Sequence, residues 1–280
     1  MISSVKTVST GRCDDPDIIF DHKIIAMPNK CTFPSHSHDM CELLYFVGGE
    51  ASYYIEGRVY PLKSGDLVFI RSGKHHMLVV NGGEDYERYV TMFSASLIPE
   101  SLYEKTDNSI EVVNFSDNLL IKELFSKADQ YYRSENTEAA EYQAFLRAMV
   151  VPVFCEFVRC TKKRGEEDEP SRTSHSSNET LHQVLMHINK NIRKIKTIDE
   201  VCESLYLTKR YLHYLFKNNL GTTPKKYITE KRLFAARLEI RSGKTLTEAY
   251  QVSGFTDYTS FYRNYKAYFG HAPSFDQSKK

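Results

Sequence analysis

Two histidines and a glutamate near the N-terminus have the spacing of metal ligands. His36, His38 and Glu42 form the pattern His-x-His-x3-Glu, and Gly49 follows after six further residues. His76 belongs to a second segment that a neighbouring strand could bring close. Imidazole and carboxylate groups bind divalent transition metals, but they also hydrogen-bond a polar small molecule, or one another and water. Of these three interpretations the sequence favours a ligand pocket, with a metal site and a structural cluster as alternatives.

The segment that must position these residues, from 36 to about 96, predicts a small β-barrel or sandwich. Short runs of β-branched and aromatic residues alternate there with glycine-containing turns, which is typical of hairpins. If 36–46 form one strand, alternate positions share a face, so the histidines and the glutamate line the interior together with aromatic side chains. The predicted pocket consists of His36, His38, Glu42, Tyr45, Tyr53, Phe69 and His76.

Residues 116–162 change to a helical period. Apolar residues recur at intervals of three and four through this segment, which predicts a pair of helices with one strongly apolar face. That face includes Met149, Val153 and Phe157, and it is larger than a helix beside a small barrel needs. A symmetric pair of chains is the commonest way to cover such a face, so the sequence predicts a homodimer formed through this region.

Charge is unevenly divided along the chain of 280 residues, whose formal net charge is +1. Residues 178–280 contain 18 Lys and Arg against 9 Asp and Glu, a net charge of +9, and the preceding residues have a net charge of −8. Residues 163–178 are polar and charged, which predicts a flexible linker. A basic half joined to an acidic half indicates that one part contacts a polyanion.

The cellular compartment follows from what the sequence lacks. No run of about 18 apolar residues is present, and the first residues contain no apolar segment typical of a secretory signal. The six cysteines show no CxxC spacing, so reduced thiols are expected. These features predict a cytoplasmic protein with no membrane partner.

The basic half contains one pattern twice. An aromatic residue followed by Lys-x3-Gly-x2-Pro begins at Phe216 and again 49 residues later at Tyr265. Each copy follows a short amphipathic segment and a turn, so each predicts a helix-turn-helix whose second helix begins after a capping residue, Thr208 or Asp257.

The two second helices are predicted to expose polar, basic and aromatic side chains suited to base edges and phosphates in a major groove. The predicted DNA-binding residues are Lys209, Arg210, His213, Tyr214 and Lys217 on the first helix, and Tyr258, Thr259, Tyr262, Arg263 and Lys266 on the second. The alternative is two ordinary helical hairpins with a solvated polar face. Two copies in register within a strongly basic segment favour DNA binding.

The C-terminal half resembles the DNA-binding domain of the AraC/XylS family of transcription regulators. Tyr227-Ile228-x3-Arg232-Leu233 matches the long central helix of that domain, and Gly254-Phe255-x-Asp257 with the second Lys-x3-Gly-x2-Pro matches its second unit. Tyr250 departs from the family pattern, which usually has a small residue there. The position lies at a helix–helix contact, so the packing of the second unit is expected to be altered.

The N-terminal half resembles the cupin barrel that serves as the sensor domain in this family. His36, His38, Glu42 and Gly49 meet the first cupin motif. Gly65, Gly73 and His76 fit the second, although Arg71 replaces its proline. The resemblance implies a barrel that senses a small effector.

Together these observations predict an α+β multidomain protein, with a cupin-like β-barrel, two linker or dimerisation helices, and an all-α domain of two helix-turn-helix units. The predicted domains are a sensing barrel at 1–115, a helical dimerisation region at 116–162, a linker at 163–178 and the DNA-binding domain at 179–280.

The predicted function is sequence-specific transcription regulation and not enzyme catalysis. The expected partners are double-stranded promoter or operator DNA, a small polar effector such as a sugar, a second copy of the chain, and RNA polymerase if the protein is an activator. No cofactor is expected, with a divalent transition metal as the less favoured alternative. Two rival functions are a metal-dependent cupin enzyme with an accessory basic domain, and a DNA-architectural protein with an inactive barrel.

Overall fold

A computed structural model describes residues 7–10, 15, 17–106, 111–134, 136–166 and 179–277. The chain divides into two compact units, an N-terminal one made mainly of residues before 176 and a C-terminal one made mainly of residues from 176 onward. Within the described ranges, no helix combines the length and the apolar character needed to span a membrane.

The strands form two sheets. They are β1 (Thr7–Thr10), β2 (Ile18–Ile25), β3 (Cys31–His36), β4 (Cys41–Gly48), β5 (Ala51–Ile55), β6 (Arg58–Pro61), β7 (Asp66–Ile70), β8 (His76–Val80), β9 (Tyr86–Phe93) and β10 (Val112–Asn114). The first sheet has the order β1-β2-β9-β4-β7-β10, and the second has the order β3-β8-β5-β6. The predicted barrel-like N-terminal fold is confirmed.

The six-stranded sheet is buried on both of its faces. One face packs against the four-stranded sheet, and the other packs against α2 (Leu119–Arg133) and α3 (Ala139–Glu166). A 3-10 turn at Ala95–Leu97 and the short helix α1 (Glu100–Tyr103) precede these helices. Because both faces are covered, β4 is a nearly continuous apolar run without the alternation of a half-buried strand.

The helical face assigned to dimerisation is part of the chain's own core. Met149, Val153 and Phe157 are 2%, 0% and 0% exposed and lie in the cluster between the helices and the six-stranded sheet. The sequence showed an apolar face but not what covers it, and the sheet covers it here. These three residues are therefore not available to a second copy.

Helix α3 continues to Glu166, so the first residues of the predicted linker at 163–178 are helical. The rest of that segment, 167–178, lies outside the described residues.

The described residues of the C-terminal unit from 179 onward are built into helices. They are α4 (Glu179–Asn191), α5 (Ile198–Ser204), α6 (Lys209–Leu220), α7 (Pro224–Arg241), α8 (Leu246–Val252), α9 (Tyr258–Phe269) and α10 (Pro273–Gln277). Helices α5 and α6 form one helix-turn-helix, α8 and α9 form a second, and α7 joins them. The predicted duplication is confirmed.

The ends of the two second helices are defined by the residues that the repeat singled out. Thr208 caps α6 by accepting a hydrogen bond from the Tyr211 amide, and Asp257 caps α9 in the same way through Ser260. Gly221 ends α6 with a φ of 62°, a left-handed conformation that glycine adopts without steric cost.

The turn of the first unit contains a strained residue. Tyr206 has a φ of 53° and follows Leu205, the C-cap residue of α5. Gly254, with a φ of 91°, holds the same place after the C-cap residue of α8. A β-carbon in the left-handed region crowds the backbone and costs about 1 kcal/mol or more. The Tyr206 side chain is 97% exposed, so packing does not offset this strain.

We expect Tyr206→Gly to stabilise the protein by about 0.5–1 kcal/mol, because relief of strain exceeds the entropy that glycine adds to the unfolded chain. Urea unfolding measures the change. Tyr214→Gly is the matched control: it replaces an exposed tyrosine inside α6, and there glycine should destabilise by about 1 kcal/mol. Loss of stability in Tyr206→Gly would mean that the tyrosine ring makes contacts that outweigh the strain.

Candidate functional site

The first recognition helix, α6, separates buried from exposed side chains as the sequence predicted. Leu212, Leu215 and Phe216 are fully buried against the core of the first unit. The five predicted DNA-binding residues of this helix are all exposed: Lys209, Arg210, His213, Tyr214 and Lys217. The stripe is therefore accessible for contact with DNA.

Helix α9 repeats this arrangement. Phe261 and Tyr265 are fully buried, while the predicted DNA-binding residues are all exposed: Tyr258, Thr259, Tyr262, Arg263 and Lys266. Tyr250 stacks on Phe261 with ring centroids 6.0 Å apart. The large residue at this position is thus accommodated in an aromatic cluster.

A buried carboxylate anchors α9 to the central helix. Oδ2 of Asp276, on α10, accepts a hydrogen bond from the Tyr265 hydroxyl at 2.7 Å and lies 3.0 Å from Nε of Arg237. Oδ1 accepts a hydrogen bond from Arg241 at 3.0 Å. Burial alone would raise the pKa of Asp276, but the Tyr265 hydroxyl and the two guanidinium groups lower it below its ordinary value. The carboxylate therefore stays charged and links three helices.

Two further features of the first unit were not predicted. Tyr211 is exposed and stacks on Tyr214 with centroids 6.2 Å apart, which adds an aromatic pair beside the basic stripe. The sequence signal for this pair was the spacing of three residues between Tyr211 and Tyr214, which places them on one side of a helix. Lys209 forms a 2.6 Å ion pair with Asp199, so this cation is already partnered within the chain.

In the N-terminal unit, the structure brings three of the predicted pocket residues together. The Tyr53 hydroxyl donates to Glu42 at 2.9 Å, and Nε2 of His76 lies 3.7 Å from the other Glu42 oxygen. Burial, followed by the charge of Glu42, raises the pKa of Tyr53 well above its ordinary value. The hydroxyl therefore remains a hydrogen-bond donor.

His36 and His38 do not share a strand with Glu42. His36 is the last residue of β3, His38 lies in the following loop, and Glu42 is on β4. The single strand expected over 36–46 is thus corrected to two strands and a loop. The short stretch with His36 and His38 groups with the C-terminal unit, and Glu42 and His76 belong to the N-terminal one, so a pocket shared by these four residues stays a prediction.

Tyr45 and Phe69 must be removed from the predicted pocket. Tyr45 stacks on Phe125 of α2 with centroids 5.2 Å apart, and Phe69 meets Phe154 of α3 edge-on at 5.0 Å. Both side chains face the helices. Because β4 and β7 are covered on both sides, the alternation of residues along each strand did not show which face lines the space between the sheets.

The space between the sheets contains charged and aromatic residues that the prediction missed. Lys23 and Arg88 lie on neighbouring strands, and both face the ring of Phe33. Burial and the adjacent Arg88 lower the pKa of Lys23. A signal was present in the sequence, since Arg88 interrupts an otherwise apolar face of β9, and Asp21 and Lys23 are charged residues on one face of β2.

Comparison with known proteins identifies both halves. The sequence profile of the AraC-like ligand binding domain matches residues 23–141, and that of a helix-turn-helix domain matches residues 201–277. The lactose operon transcription activator of Staphylococcus xylosus is 24% identical over 225 residues, which cover 79% of this chain and 77% of the relative. The transcriptional activator RhaS of Yersinia pestis (strain Pestoides F) is 24% identical over 262 residues, which cover 89% and 91%.

A structural comparison aligns ToxT from Vibrio cholerae O395 over 95% of this chain and 100% of that protein. The identity is 14% and the TM-score is 0.39.

Proposed function

Because this chain belongs to the AraC/XylS family of transcription regulators, we propose that it reads promoter DNA with α6 and α9 in two successive major grooves. The observation that carries this proposal is the repetition of one arrangement. Each helix has a capped N-terminus, a fully buried apolar face and an exposed stripe of basic and aromatic residues. A selection of binding sites from random DNA tests sequence preference directly.

The two kinds of cation on α6 are expected to act differently. Arg210 is shaped to bind guanine O6 and N7 together, so Arg210→Ala should cost roughly 1–3 kcal/mol on the selected site and relax preference at one base pair. Lys217 lies near the helix end, where a phosphate is the expected target. Lys217→Ala should weaken all sequences alike and reduce the salt slope by about one unit.

Fluorescence anisotropy at several salt concentrations, with specific and random duplexes, measures both effects. Lys190→Ala is the charge-matched control, because Lys190 is exposed on α4 and lies outside both stripes. If Arg210→Ala and Lys190→Ala leave the same sequence preference, α6 does not read bases.

We further propose that the space between the two sheets holds a small polar effector, of which a sugar is one class. The charged and aromatic side chains that face this space support the proposal. A catalytic role is not proposed, since the relatives are transcription activators by name. The expectation of no resident cofactor stays a prediction, with His36, His38, Glu42 and His76 as the alternative metal ligands. Contact with RNA polymerase is expected if the protein is an activator.

The homodimer also stays a prediction, and we propose a different surface for it. Leu119 and Leu120 of α2 are 71% and 45% exposed, and they border a groove of about 520 Å³ that Leu124 and Phe145 also line. Lys122, Glu123 and Lys127 line the same groove. In a pair of chains related by a two-fold axis, the groove of one copy faces the same groove of the other, so that lysines of one copy can pair with Glu123 of the other.

We expect Leu119→Asp with Leu120→Asp to give monomers, because two carboxylates would be buried in the apolar contact. Sedimentation equilibrium measures the state. Leu238→Asp is the control, since Leu238 is 72% exposed on α7 and its change should leave the dimer intact. A monomeric wild-type protein would contradict the prediction.

A further inference from the structure

Two cations lie directly opposite each other inside the N-terminal unit. Lys23 on β2 is the cross-strand partner of Arg88 on β9. Like charges at directly opposed positions of an antiparallel pair destabilise a sheet. The carboxylates of Asp21 and Glu42 both act on Arg88 through their charge, and an Asp21 oxygen is 3.8 Å from the guanidinium. That distance is too long for a hydrogen bond, so Asp21 and Arg88 form only a loose ion pair.

Both cations face the space between the two sheets. The ring of Phe33, on β3 of the opposite sheet, lies 4.6 Å from Nζ of Lys23 and 5.5 Å from the guanidinium carbon of Arg88. The Arg88 side chain is only 12% exposed. A cation–π contact stabilises a single cation, but it does not neutralise the repulsion between two.

Unused hydrogen-bonding capacity lies at the same place. Nε of Arg88 and the hydroxyl of Tyr86 are buried and lack a well-formed hydrogen bond among the described residues, although the two side chains lie close enough for a weak contact with each other. Tyr86 is two residues from Arg88 on β9, on the same face of the strand, and its ring is fully buried. A buried donor without an acceptor is costly, so this wall of the interior offers both positive charge and donors.

We propose that this wall is an oxyanion site, and that the effector carries a carboxylate or phosphate group that Arg88 and Lys23 bind together. The inference rests on the proposal that the interior holds the effector, and it names the chemical class. The planar guanidinium matches two oxygens of either group, Lys23 supplies a second charge, and Tyr86 supplies a neutral donor. Phe33 provides an apolar surface for the rest of the molecule. A sugar acid and a sugar phosphate both fit this description.

Thermal unfolding of the full chain, with small anions as probes, tests the site. Inorganic phosphate and acetate are compared with chloride at equal ionic strength and with a neutral hexose. We expect at least one of the two oxyanions to raise the unfolding midpoint by about 3 °C at a several-fold excess over its Kd. The better of the two identifies the group that the effector carries.

Arg88→Gln and Lys23→Gln should each weaken the affinity for the anion about tenfold or more, so that a higher anion concentration is needed for the same shift in midpoint. Lys30→Gln, at an exposed position, should leave the affinity unchanged. Lys23→Gln removes a like-charge pair, so without an anion its midpoint should equal or exceed that of the wild type. This expectation separates a binding role from a structural one. A lowered midpoint without anion would show that Lys23 stabilises the fold and would overturn its role in the site.

The proposal is overturned if phosphate and acetate act no differently from chloride, or if both variants respond as the wild type does. A midpoint raised by the neutral hexose alone would overturn the oxyanion class and leave effector binding in place. Failure of the proposed function is seen separately, as an absence of sequence preference in DNA binding by the wild-type protein.

Discussion

Inserting five base pairs between the half-sites read by α6 and α9 is expected to reduce DNA binding to the nonspecific level. The two helices belong to one unit and are joined by the 18-residue helix α7. Their targets should therefore lie about one helical turn apart, roughly 10 base pairs. Five extra base pairs rotate one half-site by about half a turn, so the second recognition helix meets the wrong face of the duplex.

The expected loss is the ratio of specific to nonspecific affinity, typically about 10³- to 10⁷-fold. Anisotropy titration at one fixed salt concentration measures it, with the same five base pairs added outside the site as the control. If the insertion between the half-sites is tolerated, a single helix reads the DNA and the C-terminal unit does not act as a double reader.

Asp276→Asn is expected to destabilise the C-terminal unit by about 3 kcal/mol or more. The Asp276 side chain is fully buried between Arg237 and Arg241, and the substitution keeps the shape but removes the charge. Arg237, whose side chain is 10% exposed, then keeps, among the described residues, only its ion pair with Asp39, and removing one partner is the costly way to break a buried charge cluster. Since the Tyr265 hydroxyl donates to the same carboxylate, α9 should also lose its anchor and DNA affinity should fall.

Urea unfolding at neutral pH, followed by the same measurement under acid conditions, checks this prediction. The pKa of Asp276 is lowered in the folded protein, so its contribution to stability is present above the unfolded pKa of about 3.9 and is lost as the pH falls through the folded value. The difference between wild type and Asp276→Asn should therefore shrink below about pH 4. Asp257→Asn is the control on the same helix, because asparagine caps a helix about as well as aspartate does. Equal stability of wild type and Asp276→Asn at pH 7 would contradict the anchoring role.

The helical half was predictable because its signals are local. A capping residue such as Thr208, a glycine such as Gly221 and a proline that begins the next helix each act within one turn of the chain. The period of 3.6 residues then separates a buried from an exposed face, so Arg210 and Arg263 could be assigned to the surface without coordinates. The strained turn at Tyr206 was not predicted. The turn of the first helix-turn-helix is one residue shorter than that of the second, so the repeat spacing of 49 residues aligns Gly254 with Leu205 and not with Tyr206.

The strand half was predictable in class but not in the direction of its side chains. A period of two residues defines two faces, but it does not say which face is the interior when both are covered. For this reason Tyr45 and Phe69 were placed in the pocket, although they pack against helices that come some 70 residues or more later.

By itself, the sequence determined two domains, their fold classes, the duplicated helix-turn-helix and the residues on its exposed stripes, because helix periodicity and capping depend on neighbours along the chain. Only the tertiary structure decided that Met149 and Phe157 are core, that Asp276 joins Arg237 and Tyr265, and that Lys23 faces Arg88. Each of these contacts depends on how separate elements pack, and in the strands on a register that a shift of one residue would reverse.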